Sequence, residues 1–367
     1  METYKQRIIV KVGTSTLTAG TPRLNRRRML EIAQQMVQLH ESGVEVVLVS
    51  SGAQAAGREQ LGYEASPKPL PYKQMLAAVG QIHLMLAWEQ VFRMFDLHVA
   101  QVLLTRADIT DRRRYLNARD ALGMILSQGI VPVINENDAV ATEEIRVGDN
   151  DNLSARVANL MNADLLIILT DQRGLYTADP RKDPQAQLIE EVAQVTAEIK
   201  ALAGGTRTGL GTGGMATKLQ AVELATRSGT SVVIAQGTRA NVIVDAANGV
   251  SVGTRFAAQV NEVEGRLRWI LAEQAQGSIT VDAGAAKAVR NSKSLLLVGV
   301  RTVSGEFERG EVIAVRDTSQ HEIARGLARY NAADAQRVAG KRSDEIETIL
   351  GYDYGPMMIH ADDLIVL

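Results

Sequence analysis

The stretch RIIVKVGTS, residues 7–15, sets four β-branched aliphatics around one lysine and then stops on glycine, threonine and serine. A run this short and this apolar suits a strand buried on both faces. The turn residues that end it mark where the chain leaves the sheet. Five further blocks have the same form: VEVVLVSSG (44–52), HVAQVLLT (98–105), IVPVINEN (130–137), ADLLIILTD (163–171) and TSVVIAQG (230–237). Between the first two, Met29, Ile32, Ala33, Met36, Val37 and His40 recur at three- and four-residue intervals, the period of a helix lying on a sheet. Strands alternating with helices define an α/β domain, a three-layer αβα sandwich with a largely parallel sheet.

Past about Phe256 the pattern changes. A helix-like connector, NEVEGRLRWILAEQAQG with Trp269 and Ile270 as its anchors, leads into short β-rich segments separated by turn residues such as Ser304-Gly305 and Arg309-Gly310. This reads as a small barrel-like domain. The expected division is a first domain over 1–258, a linker over 259–274 and the β-rich domain over 275–367.

The composition narrows the functional classes. A chain of 367 residues with 46% hydrophobic and 22% charged residues can bury the cores of at least two domains. It has no run of membrane-span length, and METYKQRIIV enters a strand without the apolar block of a signal peptide, so a cytoplasmic protein is expected. There is no cysteine, and the five histidines are never closer than fifteen residues, which disfavours a dedicated transition-metal site. The net charge is -2, and residues 275–367 carry 11 basic against 13 acidic side chains, a poor footprint for nucleic acid. The arginine clusters NRRR (25–28) and DRRR (111–114) lead into helical patterns and read as solvated helix faces.

Four strand-like blocks end in polar clusters: GTST, SSGA, NENDAV and TDQRGLYTADP. In open α/β sheets ligands bind beyond the carboxyl ends of the strands, so these clusters should meet in one small-molecule site. Lys11 near the end of a buried strand is costly unless it reaches an anion or solvent, and Gly13 lets the backbone approach a phosphate. Asp149, Asn150, Asp151 and Asn152 open a helix whose apolar face is Leu153, Val157, Leu160 and Met161. One of the four serves as an N-cap; the others fit either a turn or cation-binding motif or a substrate site, though the spacing is not that of an EF-hand loop.

TGLGTGGMATK, residues 208–218, matches the dinucleotide fingerprint on paper. That fingerprint must follow a strand, and KALAGGTRT before it is polar and glycine-rich. A Walker loop needs glycine directly before its lysine, and here Thr217 stands there. What remains is a glycine loop rich in N–H donors, followed by Lys218 in the first turn of a helix, where anions are favoured.

Taken in order, VKVGTS, SSGA, NENDAV, GDNDNLSA, LLTDQRGLYTADPR and GTGGMATK resemble the amino acid kinase family, and among its members those that phosphorylate glutamate. The tail, with VSGEFERGEVIAV and EIARGLARYNAADA, resembles the PUA domain that bacterial members of this branch append. The resemblance implies transfer of the ATP γ-phosphoryl to the side-chain carboxylate of L-glutamate, the first step of proline synthesis, with Mg2+ carried mainly by the ATP phosphates. It implies that Lys11 and Lys218 flank the transferring phosphoryl and that Asp151 holds them. It places Ser51, Asp138 and Asn150 on glutamate. It places Gly13, Thr170, Asp171, Thr212, Gly213, Gly214, Met215, Ala216, Thr217 and the two lysines on the nucleotide. A homo-oligomer (a dimer or tetramer), proline feedback and hand-over to a glutamyl phosphate reductase are also implied. Gln54, Ala216 and PYKQ (71–74) depart mildly from the family pattern. Competing readings are a sibling kinase acting on acetylglutamate, aspartate or carbamate, an RNA-binding protein working through its tail, and an oxidoreductase.

Overall fold

The computed structural model describes residues 5–63, 69–141, 150–203, 214–259, 270–271 and 273–367. Its contacts divide the chain into two units, one of residues 1–109 and 118–261, the other of 110–117 and 262–367. Assignment of 110–117 to the second unit has no visible sign in the sequence. Most of the expected linker lies outside the described residues.

The first unit is built on one sheet, formed by β1 (Arg7–Val12), β2 (Glu45–Ser50), β3 (Val99–Leu104), β4 (Val131–Glu136), β5 (Leu165–Thr170), β6 (Glu191–Val192), β7 (Ser231–Gln236) and β8 (Gly253–Phe256). The strand order is β3-β4-β2-β1-β5-β7-β8-β6. Every pairing is parallel except β7 with β8. The four strands with polar ends are β4, β2, β1 and β5, adjacent and parallel at the centre of the sheet, so their carboxyl ends share one edge. All six apolar blocks become strands. β3, expected to be buried on both faces, is instead an edge strand, half-buried and with Gln101 exposed.

Helices α1 (Thr14–Thr18), α2 (Arg26–Glu41), α3 (Ala53–Leu61), α4 (Leu70–Arg93), α5 (Arg106–Thr110), α6 (Arg112–Ser127), α7 (Asn150–Met161), α8 (Ala197–Leu202), α9 (Met215–Thr226) and α10 (Val242–Ala247) connect these strands. Alternate strand residues Ile8, Val10, Val12, Val46 and Leu48 form one core with Met29, Ile32 and Met36 of α2, Leu84 and Trp88 of α4 and Val242 of α10. Strand alternation turns Ile9 and Lys11 to the other face, where α7 and α9 pack on each other and on β1, β5 and β7. The sandwich therefore has three layers.

The second unit carries a five-stranded sheet of β9 (Gly277–Val281), β11 (Val300–Gly305), β12 (Val312–Arg316), β13 (Glu322–Leu327) and β15 (Leu364–Val366). A two-stranded piece joins β10 (Leu295–Leu296) to β14 (Met357–Ile359). Its pairings are antiparallel except β9 with β12. The core includes Ile279, Val315, Ala324 and the fully buried Tyr330. Tyr330 Oη donates within 2.7 Å of the Gly355 carbonyl, which satisfies the hydroxyl where the ring is buried.

Candidate functional site

β1 delivers Lys11 to the α7 side of the sheet, α7 begins with Asn150-Asp151, and α9 brings Thr217-Lys218 to the same point. Lys11 Nζ donates to Asp151 Oδ1. Lys218 Nζ lies 3.2 Å from Asp151 Oδ2, and Thr217 Oγ1 donates to that oxygen at 3.0 Å. Asp151 is only 1% exposed, and the two lysines are 5% exposed each. Burial by itself would raise the Asp151 carboxyl; the two ammonium groups outweigh it and hold the carboxyl below its ordinary range.

A cavity of about 340 Å³ opens over this cluster. It is lined by Lys11, Gly13, Ser51, Asp138, Asn150, Asp151, Thr170 and Lys218, eight of the residues the sequence singles out. A second cleft of about 420 Å³ takes Thr170, Asp171, Gly214, Met215 and Lys218 into its wall. Thr170 and Lys218 belong to both. Ala216 lines neither, Thr217 is turned to Asp151, and Thr212 and Gly213 lie outside the described residues.

Opposite the lysines the wall is amide and hydroxyl. Asn150 Nδ2 donates to Ser51 Oγ at 2.9 Å and to Asn135 Oδ1 at 3.0 Å. Asn135 Nδ2 in turn donates to Gln81 Oε1 of α4 at 2.8 Å. Asn150 Oδ1 is buried with no hydrogen-bond partner among the described residues. Burial pushes the Asp138 carboxyl up to about 6. Gly52, which starts α3, has φ +107°, a conformation L side chains rarely adopt, and a Cβ there would come 3.2 Å from Leu17 Cδ1. This turn swings Ser51 into the cavity while Ser50 points back into the core, where its Oγ accepts from Trp88 Nε1 at 2.8 Å.

Two contributors escaped the sequence reading. Gln81 sits on the otherwise apolar buried face of α4, 9% exposed; a lone amide at a core position of that helical period was the available signal. Arg58 of α3 also lines the cavity, and nothing local distinguishes it from a surface arginine. Among the described residues no group of three or more His, Cys, Asp or Glu could hold a metal ion. No helix among them is long and apolar enough to cross a membrane.

The amino acid kinase family model matches residues 6–236, and the PUA domain model matches 277–350. Glutamate 5-kinase of Shewanella sediminis is 55% identical over 364 residues, covering 99% of this chain and 98% of that protein. The chain belongs to the amino acid kinase family, among its glutamate 5-kinases. Glutamate 5-kinase of Escherichia coli O1:K1 is 53% identical over 361 residues, covering 98% of each. The crystal structure of UMP kinase from Ureaplasma parvum aligns with a TM-score of 0.50 at 16% identity, covering 70% of this chain and 100% of that one, a likeness of fold. In this member of the amino acid kinase family the Lys11–Asp151–Lys218 cluster lies wholly within the span of the kinase model.

Proposed function

We propose that the chain transfers the γ-phosphoryl of ATP to the side-chain carboxylate of L-glutamate, giving L-glutamyl 5-phosphate, the first step of proline biosynthesis. The observation that carries this reading is the Lys11–Asp151–Lys218 cluster, two buried ammonium groups on one carboxylate where two cavities share Lys218. A buried group of net charge +1 calls for an anion. A transferring phosphoryl between a carboxylate and ADP supplies one.

In this reading glutamate occupies the cavity of Ser51, Asp138 and Asn150. ATP occupies the cleft of Thr170, Asp171, Gly214, Met215 and Lys218, with Thr212 and Gly213 assigned by resemblance. A side-chain carboxylate oxygen attacks the γ-phosphorus, the bond to the β,γ-bridging oxygen breaks, and ADP leaves with that electron pair. No general base is needed, because a glutamate carboxylate with a pKa of about 4.3 is already ionised at neutral pH. Lys11, Lys218 and the Gly13 N–H hold the phosphoryl oxygens, and Asp151 fixes the position of the lysines. Asp151 at the cluster's centre already accepts from two ammonium groups and a hydroxyl. Magnesium carried on the ATP phosphates would offset their charge.

We also propose a kinase domain over 1–258, a linker over 259–274 and a PUA-like domain over 275–367, a cytoplasmic location, and hand-over of the labile acyl phosphate to a glutamyl phosphate reductase. A homo-oligomer, dimer or tetramer, fits the apolar stripe on α4, where Met75, Ile82 and Leu86 are 39%, 68% and 50% exposed. Replacing Ile82 and Leu86 by glutamate should lower the mass in light scattering. The activity is tested by incubating the protein with ATP, magnesium and a panel of acids and trapping acyl phosphate with hydroxylamine. Hydroxamate from another acid and none from glutamate would overturn the assignment.

A further inference from the structure

We infer that Arg58 is a specificity-determining residue that receives the α-carboxylate of the amino-acid substrate; this rests on the reading of the cavity as the glutamate site. Gln54 and Arg58 stand one helical turn apart on α3 and both line the cavity. The rotation of α3 is fixed from behind. A Cβ on Gly57 would overlap the Leu76 carbonyl oxygen of α4, and one on Gly80 of α4 would overlap the Ala53 carbonyl oxygen. With the glycine face held backbone to backbone against α4, the Cα–Cβ bond of Arg58 keeps its direction relative to the cavity.

The charges of the lining select its partner. Lys11 and Lys218 are bonded to Asp151. Among the described residues the Arg58 guanidinium has no hydrogen-bond or ion-pair partner. It does not line the nucleotide cleft, whose wall meets this cavity at Thr170 and Lys218. The same cavity is lined by two carboxylates besides Asp151: Glu136, which already has a partner, and Asp138; with the Asn150 Oδ1, which has no partner among the described residues, Asp138 can accept from an ammonium group. An α-amino acid carries ammonium and carboxylate on one carbon. With the ammonium on Asp138 and Asn150 and the carboxylate on the guanidinium fork, its remaining arm is free to reach the lysines.

The test uses the full-length enzyme and two ligands, glutamate and 4-aminobutyrate, which is glutamate without its α-carboxylate. Arg58→Gln should raise the KM for glutamate about thirtyfold, as expected for loss of one side of a desolvated charge pair. The competitive Ki of 4-aminobutyrate against glutamate and the KM for ATP should stay within about twofold of wild type, since neither ligand presents an α-carboxylate to a guanidinium. Arg58→Lys should recover part of the glutamate affinity. KM and Ki do not depend on the fraction of enzyme that is folded, so a loss of yield leaves the comparison intact. An unchanged KM for glutamate, a parallel rise in the Ki of 4-aminobutyrate, or a rise confined to ATP would each overturn the role. A wild-type enzyme that makes no hydroxamate from glutamate would instead overturn the reading of the cavity.

Discussion

Lys218 on α9 reaches Asp151 on α7 across 67 residues of chain and bonds to it at 3.2 Å, at a point where both side chains are removed from water. The carboxylate is thus the hub that keeps two like charges side by side. On the proposed mechanism Lys218→Ala removes one of the positive groups that face the transferring phosphoryl, and loss of one such preorganised contact costs about 10²–10³ in kcat. The variant should stay folded by near-UV circular dichroism, since Lys11 still pairs with Asp151. Near-normal turnover would remove Lys218 from the mechanism.

Asp151→Ala acts differently, because it strands two buried ammonium groups. Loss of one partner from a buried ion pair costs about 3–5 kcal/mol, so this variant should show a lowered denaturation midpoint as well as lost activity. The lysines depress the Asp151 carboxyl, and a depressed carboxyl contributes stability above its unfolded pKa that is lost as pH falls through its folded one. The midpoint gap between wild type and Asp151→Ala should therefore persist from neutral pH down to the ordinary carboxylate range and close only below it.

Much of this arrangement is legible in the sequence because strand periodicity is strict. The lysine in RIIVKVGTS must leave the core at a strand end, and four polar strand ends on parallel neighbours must converge. Other features were hidden where the deciding contact is remote. Ser50 and Ser51 are the same residue type one step apart, and Trp88 beneath the first shows which one faces the cavity. β3 resembles the central strands in composition, and its place at the sheet edge depends on pairing order, which no local pattern encodes. Arg58 becomes visible only once α3 is locked against α4.

Asp138 provides a pH test. Burial raises its carboxyl to about 6, and an ammonium ligand is held by the ionised form. As pH falls through that value the group takes up a proton, and the KM for glutamate should rise, reaching about tenfold its plateau one pH unit below. Asp138→Asn should give a high KM with little pH dependence over this range. Stability has the opposite sign, since a carboxyl with a raised folded pKa costs stability as pH rises through it. Asp138→Asn should accordingly match or exceed wild type in Tm at pH 8 and lose that advantage at pH 4. A wild-type KM that is flat between pH 5 and 8 would contradict the ammonium contact.

Gly80 tests the lock between α3 and α4. A methyl group there meets the Ala53 carbonyl, a backbone atom that cannot swing aside, so Gly80→Ala must push the helices apart. Overpacking of this kind costs about 1–3 kcal/mol, measurable by urea denaturation. Because Gln54 and Arg58 ride on α3, the KM for glutamate should rise while the KM for ATP holds. Equal damage to both would mean that the helix pair supports the whole sheet rather than the glutamate wall.

The last prediction concerns the second unit. A chain ending at Asn261 keeps every residue of the Lys11–Asp151–Lys218 cluster and of both cavities, so its kcat should stay within about threefold of full length, a change of under 1 kcal/mol in the barrier. It also loses Ile270, Val312, Leu327 and Ile365, which in the full chain bury Leu116 completely. Exposing a leucine costs about 1.5–3 kcal/mol of transfer free energy, so the truncated protein should melt earlier and aggregate at lower concentration. Leu116→Ser in the truncated chain should reduce the aggregation, because the fully buried leucine of that cluster is then gone and Tyr115 alone stays uncovered. A truncated protein that is folded, soluble and without activity would instead make the second unit part of the catalytic machinery.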